Sequence, residues 1–181
     1  MLIRLENIKP EGLFLDFEEA AENFPVLTEL SATGECSFPG RVKVRLKLFR
    51  IGETVEMKGL AVTPALFSCS RCLDDVEVDI STDFSLIYFP EKGPKEEEEE
   101  PDEIELAEDD LGVVYFSGDT IDPLEAVQEH ILMALPLQPL CEEGCKGLCP
   151  QCGNNLNRET CSCDPPVFNN KFSSLKDFFK P

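Results

Sequence analysis

The sequence predicts an α+β protein: an N-terminal antiparallel β meander curled into a small open barrel, one capped helix packing on it, and a small C-terminal cysteine-rich module. Three observations carry this. Residues 41–48 alternate basic and apolar without a fault, residues 122–136 open on a helix start signal and close on proline, and eight of the nine cysteines fall into four close pairs. The chain reads as a β-rich domain over 1–90, an acidic linker over 91–110, a helical segment over 111–137 and the cysteine-rich module over 138–181.

The β-domain is read from period-two patterns. Val42, Val44, Leu46 and Leu48 fall on one side of a strand whose other side carries Arg41, Lys43, Arg45 and Lys47. A turn follows at Arg50-Ile51-Gly52-Glu53, then a β-rich run from Thr54 to Phe67 that Gly59 and Pro64 are expected to interrupt. Val76-Glu77-Val78-Asp79-Ile80 alternates with its acids outward, and residues 84–89 continue it or pair with it. Strands at short spacing, with no amphipathic helix between them, favour an antiparallel meander. The basic side chains of residues 41–47 have two readings, an RNA-facing stripe or cross-strand pairing with Glu77 and Asp79. The pairing is preferred.

Charge is concentrated. The formal net charge is −20, and residues 91–110 set Glu91, Glu96 to Glu100, Asp102, Glu103, Glu105, Glu108, Asp109 and Asp110 against Lys92 and Lys95. Bracketed by Pro90, Pro94 and Pro101, this run repels itself and buries nothing, so it reads as a solvated tether, with a decoy for a basic partner as the alternative. A phosphate backbone is repelled by such a chain, because nucleic-acid binding draws on counterion release by Lys and Arg. A basic protein partner is favoured over RNA. No long apolar run opens the sequence and none is long enough to span a bilayer, so a cytoplasmic location is expected.

The helix begins at Asp122, a good N-cap, with Pro123 at the first helical position and Glu125 placed for a capping box. Leu124, Val127, Ile131 and Leu135 recur at helical spacing and Pro136 stops the run. His130, the single histidine, lies beside this stripe and reads as a boundary residue rather than a ligand.

The cysteine pairs are Cys69-x-x-Cys72, Cys141-x-x-x-Cys145, Cys149-x-x-Cys152 and Cys161-x-Cys163. Cellular thiols are kept reduced, so close pairs in a cytoplasmic chain point to metal before disulfides. Zinc takes four thiolates in a tetrahedron, and two ligands in one tight turn supply half of it at small entropic cost. Leu148-Cys149-Pro150-Gln151-Cys152-Gly153 reads as a zinc knuckle, with Gly153 free to take the positive φ that brings backbone amides to the sulfurs. Eight residues then lead to Cys161, enough to fold back. Four pairs make two sites, Cys149 and Cys152 with Cys161 and Cys163, and Cys69 and Cys72 with Cys141 and Cys145. One site with spare cysteines remains the alternative, as does iron for zinc. Cys36 stands alone and reads as a small core residue.

The same residues carry a resemblance. Cys69-Ser70-Arg71-Cys72-Leu73, the stretch Ile131 to Leu137, Pro139-Leu140-Cys141, Cys145-Lys146-Gly147-Leu148-Cys149-Pro150-Gln151-Cys152-Gly153, Asn155-Leu156-Asn157 and Cys161-Ser162-Cys163 together resemble the YceD family. The resemblance covers most of the chain in order. It implies a role in the accumulation of large-subunit ribosomal RNA, hence in ribosome assembly, and no enzymatic activity. The pattern departs after Cys163, where Asp164-Pro165-Pro166 stands and the family often carries Asp-Pro-Arg; a short helix is still expected around residues 174–179.

The sequence thus points to a non-enzymatic zinc protein whose partner is a basic ribosomal protein or a large-subunit rRNA precursor, with no membrane and no small-molecule substrate. Two rival classes remain. A metal-dependent thiol redox protein would use Cys69-x-x-Cys72, which here lacks a βαβ setting, and a zinc-ribbon transcription regulator would need a basic module, whereas residues 138–181 hold five basic and five acidic residues. With one histidine, the chain is poorly equipped for a catalytic zinc. It carries no P-loop, dinucleotide turn or Ser/His/Asp signature.

Overall fold

A computed structural model of the chain describes residues 1–91 and 112–163. All but the first residue of the acidic linker, and the helix expected at 174–179, lie outside the described residues. The chain divides into two compact units. The first comprises Met1–Phe67 and Glu77–Leu137, the second Ser68–Val76 with the chain from Gln138 onward.

In the first unit the elements run β1 (Ile3–Arg4), β2 (Leu13–Ala20), α1 (Pro25–Thr33), β3 (Cys36–Ser37), β4 (Arg41–Ile51), β5 (Thr54–Ser68), β6 (Asp75–Pro90), β7 (Val113–Phe116), β8 (Thr120–Ile121) and α2 (Pro123–Met133). The last residue of β5 and the first two of β6 belong to the second unit. The main sheet has the order β2-β4-β5-β6-β7, with β3 also on β5, while β1 and β8 form a separate ribbon. The order has two ends, so the described sheet is open.

Three strands follow the predicted patterning closely. On β4, Val42, Val44, Leu46 and Leu48 are buried and the four basic residues face out. Gly52, at φ 65°, turns β4 into β5, with Ile51 opposite Thr54. The expected interruption of the next run does not occur: β5 is continuous through both Gly59 and Pro64. A Cβ on Gly59 would lie 2.2 Å from the Phe84 ring, so the glycine is a place for that ring to cross the strand. Pro64 lies between the stretch of β5 that pairs with β4, which ends at Val62, and the stretch that pairs with β3, which begins at Leu66. Its missing N–H therefore costs neither ladder a bond. Residues 75–90 form the single strand β6.

Four expectations are corrected. Residues 1–90 are not all β: α1 starts with Pro25 at its first turn and stops at Gly34 in the left-handed region, φ 79°. Nine residues are too few for a helix to persist alone. Leu27, completely buried, and Phe24 just before the helix hold it, each burial being worth about 1.5–3 kcal/mol. The sheet is also not wholly antiparallel, because β7 joins β6 in parallel, Phe89 opposite Tyr115. Residues 112–121 carry β7 and β8 before the helix begins. The partners of the basic side chains lie on β2, not β6: Asp16 faces Arg45 and Glu18 faces Lys43, with Arg45–Asp16 at 3.1 Å and Arg41–Glu18 at 3.6 Å. Strand β5 separates β4 from the acids Glu77 and Asp79.

Helix α2 starts as its sequence signals, with the Asp122 carboxylate accepting the Leu124 amide at 3.0 Å. Among the described residues, Glu125 makes no return bond to close a capping box. Pro123, Ala126, Val127 and Ile131 are buried in the main core. His130 is half-buried, its Nδ1 2.8 Å from the Ala126 carbonyl and its ring stacked 4.3 Å from Phe84. Cys36 is a buried member of the same core, and burial raises its thiol pKa, followed by the charge of Glu35.

Candidate metal centres

The second unit is built around sulfur. Cys69, Cys72, Cys141 and Cys145 form one group and Cys149, Cys152, Cys161 and Cys163 another, the four sulfurs of each group lying within 4.8 Å of one another. All eight are free thiols. Cys69 and Cys145 sulfurs are 3.8 Å apart, Cys72 and Cys141 sulfurs 3.5 Å. Both spacings far exceed a disulfide bond. A tetrahedral site with Zn–S near 2.3 Å has sulfur–sulfur edges of about 3.8 Å, so the donor set fits a four-thiolate zinc by identity, number and spacing.

The first pair sits in the tip of the β5–β6 connection. The Leu73 amide donates to the Cys69 carbonyl at 3.0 Å and the Cys69 amide to the Asp74 carbonyl at 2.8 Å. Closing so tightly after Cys72 places Leu73 at φ 62°, the left-handed region that only a constrained non-glycine residue occupies. Pro139 and Arg71 then knit the pair to the later chain: the Ser70 amide donates to the Pro139 carbonyl at 2.9 Å, the Leu148 amide to the Arg71 carbonyl at 3.0 Å, and Arg71 Nη1 to the Cys145 carbonyl at 2.9 Å. Gly147, at φ 75°, makes the approach possible, since a Cβ there would stand 2.9 Å from the Arg71 carbonyl. Val76, Leu140 and Leu148 cover Cys69, Cys72 and Cys145, giving this unit a small apolar core of its own.

The second pair uses the same local device. The Gly153 amide donates to the Cys149 carbonyl at 2.8 Å, Gly153 takes φ 76°, and the Cys149 amide donates to the Asn154 carbonyl at 2.8 Å. Leu148 and Asn155 form an isolated antiparallel bridge that joins the two sides of this turn.

Electrostatics separate the thiols within each group. Burial raises the Cys69 thiol, and the backbone amides of Arg71, Cys72 and Cys141, with the Cys72 side chain, overcome this and bring it down to about 6. The amides of Cys152 and Gln151 bring Cys149 down to about 6 against burial. In both knuckles the amides two and three residues on point at the first sulfur, the arrangement that stabilises a thiolate. Neighbouring thiols pay for it. The Asp74 amide lowers Cys72, but burial and the sulfurs of Cys69, Cys141 and Cys145 outweigh it and push it up to about 12; the Cys152 side chain, then burial, raise Cys163 to about 12. A divalent cation removes this conflict by letting all four ionise together.

Residues beyond the cysteines hold the groups in place. Asn157 Nδ2 donates to the Cys145 sulfur at 3.2 Å and its Oδ1 accepts the Lys146 amide at 2.7 Å. Asp74 accepts from Asn155 and from Arg158, each at 3.0 Å. Asp74 and Arg158 stand out in no sequence pattern, and Arg71, Asn155 and Asn157 belong to the family resemblance without a role that the sequence assigns. Their only signal was proximity to the cysteine pairs, because their partners are up to 84 positions away.

The fold and its paired four-cysteine groups define an α+β protein with a thiolate-lined second unit. The family model described as "Large ribosomal RNA subunit accumulation protein YceD" matches residues 57–179, more than half of the chain. The chain belongs to the YceD family. It is 30% identical to a Zea mays protein named as a chloroplastic large ribosomal RNA subunit accumulation protein YCED homolog, over 93% of this chain and 58% of that protein. An Arabidopsis thaliana protein of the same name is 25% identical over 67% of this chain and 43% of its own length. An uncharacterized Mycobacterium bovis protein is 30% identical over 63% of this chain and 51% of its own. The chain spans about half the length of the curated relatives it matches. No solved structure matches it significantly. Among the described residues, no helix is long and apolar enough to cross a membrane.

Proposed function

We propose that each group of four cysteines holds one structural zinc ion and that the protein is a non-enzymatic factor supporting large-subunit rRNA accumulation during ribosome assembly. The observation that carries the metal reading is the completeness of both groups, four thiols each with their sulfurs within 4.8 Å of one another and, among the described residues, no His, Asp or Glu in either group. Cys69, Cys72, Cys141 and Cys145 would hold one ion, Cys149, Cys152, Cys161 and Cys163 the other. Bound zinc supplies cross-links that fix the second unit, and the cysteines and Asn157 orient it. The ribosomal reading rests on family membership and on the names of the plant relatives.

Burial supports a structural role over thiol exchange. The two low-pKa thiols, Cys69 and Cys149, are 0% and 6% exposed, which denies an outside disulfide its line of attack. A basic ribosomal protein is the preferred partner, because the net charge of −20 repels phosphate and draws cations. Acting in the cytoplasm would keep the thiols reduced.

Depleting the protein in cells is expected to lower large-subunit rRNA relative to small-subunit rRNA, with restoration by the intact gene. Affinity purification with salt-graded washes should recover a basic ribosomal protein ahead of rRNA. An unchanged rRNA ratio, with no ribosomal component recovered at any salt, overturns the assignment.

A further inference from the structure

The first unit contains a cavity of about 430 Å³ whose wall divides into aromatic and acidic halves. Tyr88, Tyr115 and Phe116 line one half. Asp122, Glu125 and Glu129, successive turns of one face of α2, line the other. Like charges at i,i+4 repel on a helix, and among the described residues no Lys or Arg pairs with Glu125 or Glu129. Asp122 is engaged elsewhere, by the Leu124 amide and by the amino group of Met1 at 3.6 Å.

Tyr88 supplies a second, independent sign. It is 4% exposed, lines the cavity, and has no hydrogen-bond partner among the described residues. Burial, then the charges of Glu125, Glu129 and Asp122, push its phenol well above the ordinary value. Among the described residues no buried side-chain oxygen lacks a partner, so the Tyr88 hydroxyl reaches the open space of the cavity, where it can bond an entering group. At the rim, Tyr115 is 70% exposed and its ring stands 6.4 Å from that of Phe89, itself exposed on the neighbouring strand. An aromatic face beside carboxylates suits a guanidinium, which stacks on rings while its fork meets acids.

We propose that this cavity receives an arginine side chain of a basic protein partner, with Glu125 and Glu129 pairing the guanidinium, the Tyr88 oxygen accepting one of its N–H groups, and Tyr115 covering the stem. The apolar rim formed by Tyr115 and Phe89 favours a protein surface over a free polyamine, which would leave those rings in water. The site deepens the reading of a basic protein partner and rests on it for the partner's class, though not for the binding itself.

The chain has two tyrosines and no tryptophan, and both tyrosines line this cavity, so tyrosine emission reports on it alone. The full-length protein is titrated with a capped peptide of alternating glycine and arginine, with its citrulline counterpart, with spermidine and with magnesium. Emission is expected to change saturably with the arginine peptide and not with the citrulline one. Glu125→Gln and Glu129→Gln, both on exposed positions, should each weaken binding about tenfold, and Tyr88→Phe should weaken it with Glu125 and Glu129 intact, while melting temperatures stay unchanged. No saturable change, equal binding by the citrulline peptide, undiminished binding to the glutamine variants, or tighter binding of spermidine or magnesium than of the peptide would each overturn the proposal. If peptide binding fails while ribosomal protein is still recovered from cells, only this cavity assignment falls. If the peptide binds while rRNA and ribosomal protein are unaffected, the ribosomal reading falls instead.

Discussion

The Asn157 side chain donates to the Cys145 sulfur at 3.2 Å while holding the Lys146 amide with its oxygen. One amide thus fixes both a donor atom and the backbone beside it. Partners of this kind commonly change metal affinity by about 10–100-fold. Asn157→Ala is expected to weaken zinc retention in the first group at least tenfold, read by competition with a chromogenic chelator, and to leave the second group unchanged. Equal retention in both groups would remove Asn157 from the site.

Stoichiometry separates one centre from two. Protein purified without chelator should carry close to two zinc ions per chain. Cys149→Ser should bring the value near one, and Cys69→Ser likewise, each losing its own group, because structural zinc contributes roughly 10–16 kcal/mol of apparent binding energy. A wild-type value near one would reject the two-centre assignment, and iron in place of zinc would correct the element.

Acidity should act in a definable window. In the metal-free chain Cys69 and Cys149 have folded values of about 6, below the ordinary thiol value of 9.0. Between these two values the unfolded chain binds more protons, so the second unit gains stability as pH rises from about 6 to 9 and loses it as pH falls back through 6. Cys72 and Cys163, held up to about 12, act in the opposite sense above 9. The protection factors of residues 140–160 in hydrogen exchange, taken relative to the base-catalysed intrinsic rate at each pH, should therefore rise towards pH 9 and fall beyond it. Bound zinc, which needs thiolates, should be released on acidification. Protection independent of pH over this range would contradict the amide–sulfur assignment.

Gly59→Ala tests the crossing of Phe84 over β5. The added methyl would stand 2.2 Å from the ring, which is buried and stacked on His130, so the ring would have to shift. A loss of about 1–3 kcal/mol is expected from overpacking, seen as a lower melting temperature of the first unit with metal content unchanged. Phe84→Leu in the same background should recover part of it.

The pairs on the outer face of β4 should matter far less. Arg45–Asp16 is solvent-exposed at both ends, so Asp16→Asn is expected to cost about 0.2–1 kcal/mol in chemical denaturation. A loss above this range would mean that the register of β2 on β4 depends on the pair.

Local signals in the sequence were read well where the structure is local. The alternation from Arg41 to Leu48, the start of α2 at Asp122 and Pro123, and the pairing of cysteines within tight turns each depend on neighbours a few residues away. Non-local partners were read poorly. Nothing in the strand Leu13–Ala20 says that it, rather than β6, lies beside β4, and acids occur on both. Val113–Phe116 is four residues of apolar character, too short to distinguish a strand from the lead-in to a helix, and its parallel pairing depends on a crossover. Helix α1 was legible in part: Pro25 and Gly34 bracket it, but a weak apolar stripe inside a β-rich stretch concealed it.

The two cysteine groups differ in when they can exist. The second is assembled from one continuous stretch, its ligand pairs nine positions apart from Cys152 to Cys161. In the first, Cys72 meets Cys141 across 69 positions. Closing the longer loop costs about 2 kcal/mol more in chain entropy, a modest difference at equilibrium. In time it is decisive. During synthesis Cys69 and Cys72 emerge as an isolated pair and must wait, reduced and half-provisioned, until the second half of the first unit, Glu77–Leu137, has followed them. Occupancy of the first group therefore certifies that the intervening strands and helix have been made, a checkpoint written into chain order that the second group lacks.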